Sequence, residues 1–313
     1  MSVTDQDRAL LALGEQLQAA GYRFVTPTPA THQRVNARHA EATTIEGALG
    51  WSRPFRPGAL PASPIEVERL LAAGGVLRRD GELARSLVRF STVADEREPD
   101  AAALYVHSAF PTLDPASVFF GPDSYRFVTA LRRELRPARR VVDVGAGSGV
   151  GGLSVRERCA QLVLADINPL ALRYARINAA LARTEVATVE SDVLAGVDGE
   201  IDAVIANPPY LADRQARVYR DGGGTLGIDL SLRIVREALA RLGAGGQIVL
   251  YTGSPVIDGA HPLRDALRPI LATRSCRAAW RELDPDVFGE ELDAAPYDRV
   301  DRIAVISLVV DVA

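Results

Sequence analysis

Lysine is missing from this 313-residue chain: all 36 basic side chains are arginine, spread along the whole length, so the bias marks composition and names no chemistry. Cysteine is scarce. Cys159 and Cys276 stand far apart with no CxxC or His-Cys spacing, which excludes a disulfide framework and a thiolate zinc site and fits the reducing cytoplasm. His32, His39, His107 and His261 are scattered without ligand spacing, so no metal is expected and each reads as a surface or packing histidine. No apolar run approaches membrane-spanning length, and the start MSVTDQDRALLALGEQ carries acids where a secretory signal needs a basic region. No membrane partner is expected. An excess of positive charge is also lacking: the formal net charge is −4, acids outnumber arginines in both residues 1–120 and the remainder, and the five arginines of "LRRELRPARR" (131–140) read as a solvated helix face. Nucleic acid is therefore a poor default partner. No Ser-His-Asp grouping, phosphate-binding P-loop, repeat or low-complexity segment is visible.

What is there is a chain 47% hydrophobic, enough for a full core and for two domains, read here as residues 1–115 and 116–313. In the first, Leu10, Leu11, Leu13 and Leu17 have helical spacing with Gly21 as C-cap. "SPIEVERLLAAGG" reads as a second helix with Ser63 as N-cap and Pro64 in first position. "VLRRDGELARSLVRF" reads as two strands around the Asp80-Gly81 turn. Helices followed by a small hairpin predict a smaller α+β, winged-helix-like domain. Its slightly acidic balance favours capping a pocket or docking a substrate over binding DNA.

From residue 125 helix and apolar strand alternate: "YRFVTALRREL" before "RVVDVGAG", "GGLSVRERC" before "QLVLADI", "PLALRYARINAALA" before "VATVESD". "IDAVIAN", "DLSLRIVREALARL" and "GQIVLYTG" continue the pattern. This predicts a parallel sheet covered on both faces, with ligands at the carboxyl ends of the strands. "CRAAWREL" and "DRIAVISLVV" predict a terminal antiparallel pair.

The strand end "VVDVGAGSGVGG" places Gly145, Gly147 and Gly149 where backbone can turn tightly and approach a ligand. The third glycine comes one residue too early for the dinucleotide fingerprint, and Asp143 precedes the turn, which departs from the hydride-transfer pattern. Asp166 ends the next strand, 19 residues after Gly147, a spacing suited to ribose hydroxyls. Asp192 ends the third and is placed to accept from an adenine amino group. Each acid alone reads as a helix cap; three at successive strand ends point to one adenosine.

With "DVGAGSG", "LADIN" and "ESD" in this order, residues 116–313 resemble class I S-adenosylmethionine-dependent methyltransferases. "NPPY" (Asn207–Tyr210), "VFFGPDSYRFVTAL" upstream and "YRDGGGTLGIDLSLRIV" downstream are similar to the HemK-like release-factor glutamine methyltransferases. The resemblance implies a Rossmann-like α/β fold, a mostly parallel seven-stranded sheet with an antiparallel terminal hairpin. It implies S-adenosyl-L-methionine contacts at Tyr125, Asp143, Gly145, Ala146, Gly147, Gly149, Asp166, Ile167, Asn168, Asp192, Val193 and Asn207. Asn207, Pro208, Pro209 and Tyr210 become the catalytic segment.

Chemistry agrees with that segment. An amide or aryl-amine nitrogen is a poor nucleophile because its lone pair is delocalised, so an enzyme must hold its hydrogens on acceptors and aim the lone pair at the methyl. The Asn207 side-chain oxygen and the Pro208 carbonyl are two such acceptors, stiffened by the prolines, and Tyr210 offers a flat face. The leading reading is N-methylation of a glutamine side-chain amide in a protein. The alternatives are a small-molecule reaction of specialised metabolism, including cyclisation of the cofactor's own aminobutyrate chain, and N6-methylation of adenine in nucleic acid. A cofactor binder without activity has no use for Asn207.

Overall fold

The computed structural model describes residues 4–61, 65–94, 102–112, 114–213, 217, 219–293 and 295–313. They pack as two compact units, one of Met1–Leu113, Ser117–Tyr125 and Arg173–Glu185, the other of Asp114–Ala116, Arg126–Leu172 and Val186–Ala313.

The first unit opens with α1 (Asp5–Ala19), started by a capping box between Thr4 and Asp7. Gly21, at φ +67°, ends it in a Schellman motif, Tyr22 N–H donating to the Leu17 carbonyl and Gly21 N–H to that of Gln18. Helix α2 (Pro29–Asn36) is capped by Thr28. A π-helical turn, Glu46–Gly50, follows, then α3 (Val67–Ala73). The expected cap Ser63 and first-turn Pro64 lie outside the described residues. Strands β1 (Leu77–Asp80) and β2 (Leu83–Ser86) pair antiparallel with Asp80 opposite Leu83, so the turn is Gly81-Glu82, one residue on from the expected Asp80-Gly81. The expected hairpin also stops early. The Ser86 hydroxyl accepts from Val88 N–H at 3.1 Å and donates to the Val88 carbonyl at 2.7 Å, satisfying the backbone at the break. Strand β3 (Val88–Ala94) then pairs with β4 (Ala102–Ser108) as a separate antiparallel ribbon. Asn178 clasps β4 through both its amide groups on Val106, and Gly14 gives way to Leu181, whose methyl would lie 2.7 Å from an added Cβ.

The second unit is built on one sheet, with α4 (Pro122–Glu134) leading into β5 (Ala138–Val144). There follow α5 (Val150–Ser154), β6 (Cys159–Asp166), α6 (Pro169–Leu181), β7 (Ala187–Glu190) and β8 (Ile201–Ala206). Next come α7 (Asp229–Arg241), β9 (Leu242–Val256), α8 (Pro262–Leu271), β10 (Cys276–Asp284) and β11 (Arg302–Val312). The strand order is β10-β11-β9-β8-β5-β6-β7. Strands β5 to β9 run parallel, while β11 is antiparallel to both β9 and β10, so the expected seven-stranded sheet and terminal antiparallel pair are present. The core runs through Val142, Val204, Ile248, Leu250 and Ile306, all fully buried, with Val235 of α7 and Leu263 of α8 laid on it. Strand β5 is flanked by β6 and β8, so the chain reverses direction across the sheet there, and the crevice over the ends of β5 and β8 is the topological switch point.

Candidate active site

At the end of β5 the Gly145 and Ala146 N–H groups both donate to the Ala165 carbonyl, 2.9 and 3.1 Å, which pins the loop to β6. Gly145 has φ +67° and its missing Cβ would face open space, so glycine serves the turn and leaves room for a ligand. Gly147 and Gly149 share the left-handed region, at φ +54° and +77°, and Gly149 is the N-cap of α5.

Asp143 is 1% exposed and its Oδ2 accepts the Gly152 N–H at 2.7 Å. It acts on the site through the loop it holds. Burial pushes its carboxyl up to about 7, with the Asp166 charge adding to the rise and the Gly152 N–H opposing it. A carboxyl with a raised folded pKa binds protons the unfolded chain has lost, so its contribution to stability is greatest below the unfolded value near 3.8 and falls as pH climbs to about 7. Asp143→Asn should therefore gain stability relative to the parent as pH rises through that window. Urea midpoints at several pH values check this; a constant difference would refute it.

Asp166, 8% exposed, closes a second clasp: Oδ2 accepts from Gly147 N–H and Oδ1 from Asn168 N–H, each at 2.8 Å. Burial raises its pKa, against the pull of the Asn168, Gly147 and Ile167 N–H groups. Each carboxylate oxygen keeps further acceptor capacity for ribose hydroxyls. Ile167 beside it is 53% exposed, an apolar face next to a polar cradle. Asn168 caps α6, accepting the Leu170 N–H at 2.9 Å and donating to the Ala116 carbonyl at 2.8 Å. These residues fit an adenosine moiety.

Asp192 is placed differently from the sequence picture. Its two oxygens are held by the Arg233 guanidinium at 2.8 and 2.9 Å, and Arg233 also reaches Glu237. An adenine amino group has to share that carboxylate with Arg233. Val193 is buried at φ +54°, its carbonyl accepting from the Ser191 hydroxyl at 2.9 Å. Tyr125 belongs to the first unit, where its hydroxyl accepts from the Thr26 N–H at 3.0 Å and its ring meets the Phe120 ring.

At the end of β8, Asn207 is half-buried and its side-chain amide makes no hydrogen bond among the described residues. The Pro208 carbonyl likewise accepts none among them. Two acceptors thus stand without partners beside the switch point. Tyr210, by contrast, is only 6% exposed. Its ring presses on Gly253, where a Cβ would come within 2.1 Å of the ring, and it meets Phe288 at 5.9 Å between centroids. It props the segment and offers little open face.

The backbone after Tyr210 is clamped by Asp221, Gly222 and Gly227 of the "YRDGGGTLGIDLSLRIV" stretch and by Tyr297, which no motif announces. Gly222 N–H donates to the Leu211 carbonyl at 2.7 Å, and a Cβ on Gly222 would lie 2.8 Å from the Pro209 oxygen. Gly227, at φ +73°, passes so close that a Cβ would lie 2.5 Å from the Tyr210 carbonyl oxygen. The Tyr297 hydroxyl accepts the Ala212 N–H at 2.7 Å and donates to the Leu226 carbonyl at 3.4 Å. Asp221 supports the same loop, its Oδ1 accepting from Asp213 and Gly223 N–H. No group of histidine, cysteine or carboxylates suited to a metal occurs among the described residues, and none of their helices is long and apolar enough to cross a membrane.

Comparison with known proteins agrees with this geometry. Residues 122–268 match the methyltransferase small domain family. The chain is 36% identical over 174 residues to the release factor glutamine methyltransferase of Deinococcus radiodurans, covering 51% of this chain and 58% of that one. It is 28% identical over 169 residues to the enzyme of that name from Koribacter versatilis, covering 48% and 60%. It is 30% identical over 197 residues to the ribosomal RNA small subunit methyltransferase C of Chromohalobacter salexigens, covering 60% and 56%. The chain thus spans less than two thirds of the length of these relatives. With the glycine loop, the strand-end acids and the seven-stranded sheet in place, residues 122–268 are similar to the methyltransferase small domain family and carry the fold of a class I, S-adenosylmethionine-dependent methyltransferase.

Proposed function

We propose that this protein transfers a methyl group from S-adenosylmethionine to a planar nitrogen, the side-chain amide of a glutamine in a protein substrate. The observation that carries the reading is the pair of unpartnered acceptors at the end of β8, the Asn207 side-chain oxygen and the Pro208 carbonyl. An –NH2 group lying across them donates one hydrogen to each, which fixes its plane and turns its lone pair out of that plane. The cofactor supplies a methyl on a sulfonium centre. Pro208 and Pro209 keep the acceptors from relaxing, and Gly222, Gly227 and Tyr297 hold the backbone behind them. The methylated nitrogen is acidic enough to lose its proton to water, so no strong base is required.

The relatives are named for a release factor and for ribosomal RNA, so the acceptor is weighed on this chain's own charge. A formal net charge of −4, with basic residues outnumbering acids neither in residues 1–120 nor in the remainder, favours a protein acceptor over RNA, with a small-molecule amide second. Residues 1–115 serve as the docking or capping domain, and the protein works in the cytoplasm. Incubation with methyl-labelled cofactor and fractionated cell extract tests the substrate class. Label in protein supports the reading; label confined to nucleic acid or small molecules overturns it.

Cofactor binding is testable alone. S-adenosylmethionine at about a hundred times its dissociation constant should stabilise the fold by roughly 2.7 kcal/mol, and Asp166→Ala should lose most of that gain. A melting temperature unmoved by S-adenosylmethionine, or raised instead by a nicotinamide dinucleotide, would remove the cofactor assignment.

A further inference from the structure

The first unit holds a cavity of about 360 Å³ whose lining includes His32, Asn36, Arg53, Arg85, Phe110 and Pro111. No carboxylate is among its described lining residues. Arg53 spends its Nε–H on the Asn36 side-chain oxygen at 2.9 Å and lies over the Trp51 ring, and it has no carboxylate partner among the described residues. Arg85 has neither a hydrogen bond from its guanidinium nor an ion pair among them. It also sits directly opposite Arg78 in the β1–β2 hairpin, a like-charge pairing that costs stability unless an anion offsets it.

His32 lines the same cavity. It is 1% exposed, packed against Phe110 at 4.2 Å between ring centroids, and its Nε2 is buried with no hydrogen-bond partner among the described residues. Its Nδ1 lies 3.3 Å from the Asn36 amide nitrogen. Asn36 is itself fixed, since its amide nitrogen donates to the Trp51 carbonyl at 2.8 Å while its oxygen serves Arg53. Burial, with the Arg89 and Arg53 charges, lowers the imidazole to about 4, so His32 is neutral near pH 7 and the arginines carry the positive charge. Two cations without counter-ions, beside a neutral buried ring, make a wall suited to an anionic ligand.

We infer that this cavity binds a small organic acid, its carboxylate or phosphate oxygens on Arg53 and Arg85 and its planar body against Phe110 and Pro111, beside the buried His32 ring. Arginine suits such oxyanions because its planar fork donates two parallel hydrogen bonds. The aromatic and proline walls supply the apolar contact that a bare inorganic ion does not use.

The test uses calorimetry on the full chain with four probes: benzoate, phenyl phosphate, inorganic phosphate and benzyl alcohol. One of the two aromatic acids should bind with a dissociation constant of about 1 mM or tighter, and the stronger of them names the head group. Benzyl alcohol and inorganic phosphate should each bind at least tenfold more weakly. Arg85→Gln should weaken the aromatic acid about tenfold without lowering the melting temperature of the unliganded protein, since it also removes the Arg78–Arg85 repulsion, and the His32 imidazole nitrogen resonances should move on titration. Equal binding of benzyl alcohol, an unaffected Arg85→Gln variant, or no binding of either acid at about 10 mM would each overturn the inference. None of these outcomes bears on methyl transfer.

Discussion

Asn207→Ala is expected to lower kcat by about a hundredfold or more while leaving the S-adenosylmethionine dissociation constant within about threefold of the parent. The reason lies in what the side chain does and does not touch. Its amide is tied to no protein group among the described residues, so removing it breaks no contact that holds β8 or the glycine loop. The cofactor cradle rests on other parts: Gly145 and Ala146 pinned to Ala165, Gly147 on Asp166, and Gly152 on Asp143. What disappears is one of two acceptors for the substrate nitrogen, and with it the aim of the lone pair. Asn207→Asp keeps an acceptor of the same size and should retain more turnover than the alanine variant. Turnover of Asn207→Ala at the parent rate would leave the nitrogen-methylation reading without its main support, and an alkyl transfer within the cofactor itself would become the better account.

Gly227→Ala should be nearly as damaging, through geometry alone. The residue has φ +73°, and an added Cβ would lie 2.5 Å from the Tyr210 carbonyl oxygen and 2.6 Å from the Leu211 carbonyl carbon. Both neighbours are backbone, so neither a rotamer change nor a side-chain shift relieves the contact. Left-handed strain and overpacking together cost roughly 2–4 kcal/mol. The relief available is to push the Tyr210-Leu211 backbone away, which moves the two acceptors by a fraction of an ångström to an ångström. Displacements of that size cost on the order of a hundredfold in rate. Gly243→Ala is the control, because no atom lies within 4 Å of its would-be Cβ and its φ is negative. It should leave stability and turnover close to the parent. Denaturant midpoints and kcat on both variants decide the matter; a Gly227→Ala protein as stable and active as Gly243→Ala would mean the segment is not clamped from behind.

The sheet was legible because each parallel strand is a short apolar run ended by punctuation: Gly145 after β5, Asp166 at the end of β6, Asn207 after β8. Local rules suffice for such elements. Helix α8 escaped notice although Leu263, Leu267 and Ile270 have helical spacing, because Pro269 lies inside it and proline normally argues against a helix interior. The break at Ser86 was hidden for a different reason. A serine hydroxyl that replaces ladder hydrogen bonds looks in sequence like any polar residue of a strand.

At the site, the residues that face a ligand have motif signals, as do Asp221, Gly222 and Gly227 behind them, while the more distant supports do not. Asn207 and the glycine loop could be read from a handful of adjacent letters. Tyr297, 85 positions from the Ala212 N–H it accepts, could not, since nothing local distinguishes it from a packing tyrosine. Arg233 was missed similarly: its grip on Asp192 depends on α7 and the end of β7 meeting in space. Reading Tyr210 as an open flat face failed because Gly253 and Phe288 come from remote strand and loop positions to cover it.

The central claim is that the acceptor atom is a planar nitrogen held on Asn207 and Pro208. Tandem mass spectrometry of the product labelled by the purified protein locates the transferred methyl directly. The account predicts it on a side-chain amide nitrogen, with the label absent when Asn207→Ala replaces the parent protein. A methyl found on carbon, oxygen or an aliphatic amine would contradict it, because none of those acceptors presents two hydrogens in a plane to be held by this pair of oxygens.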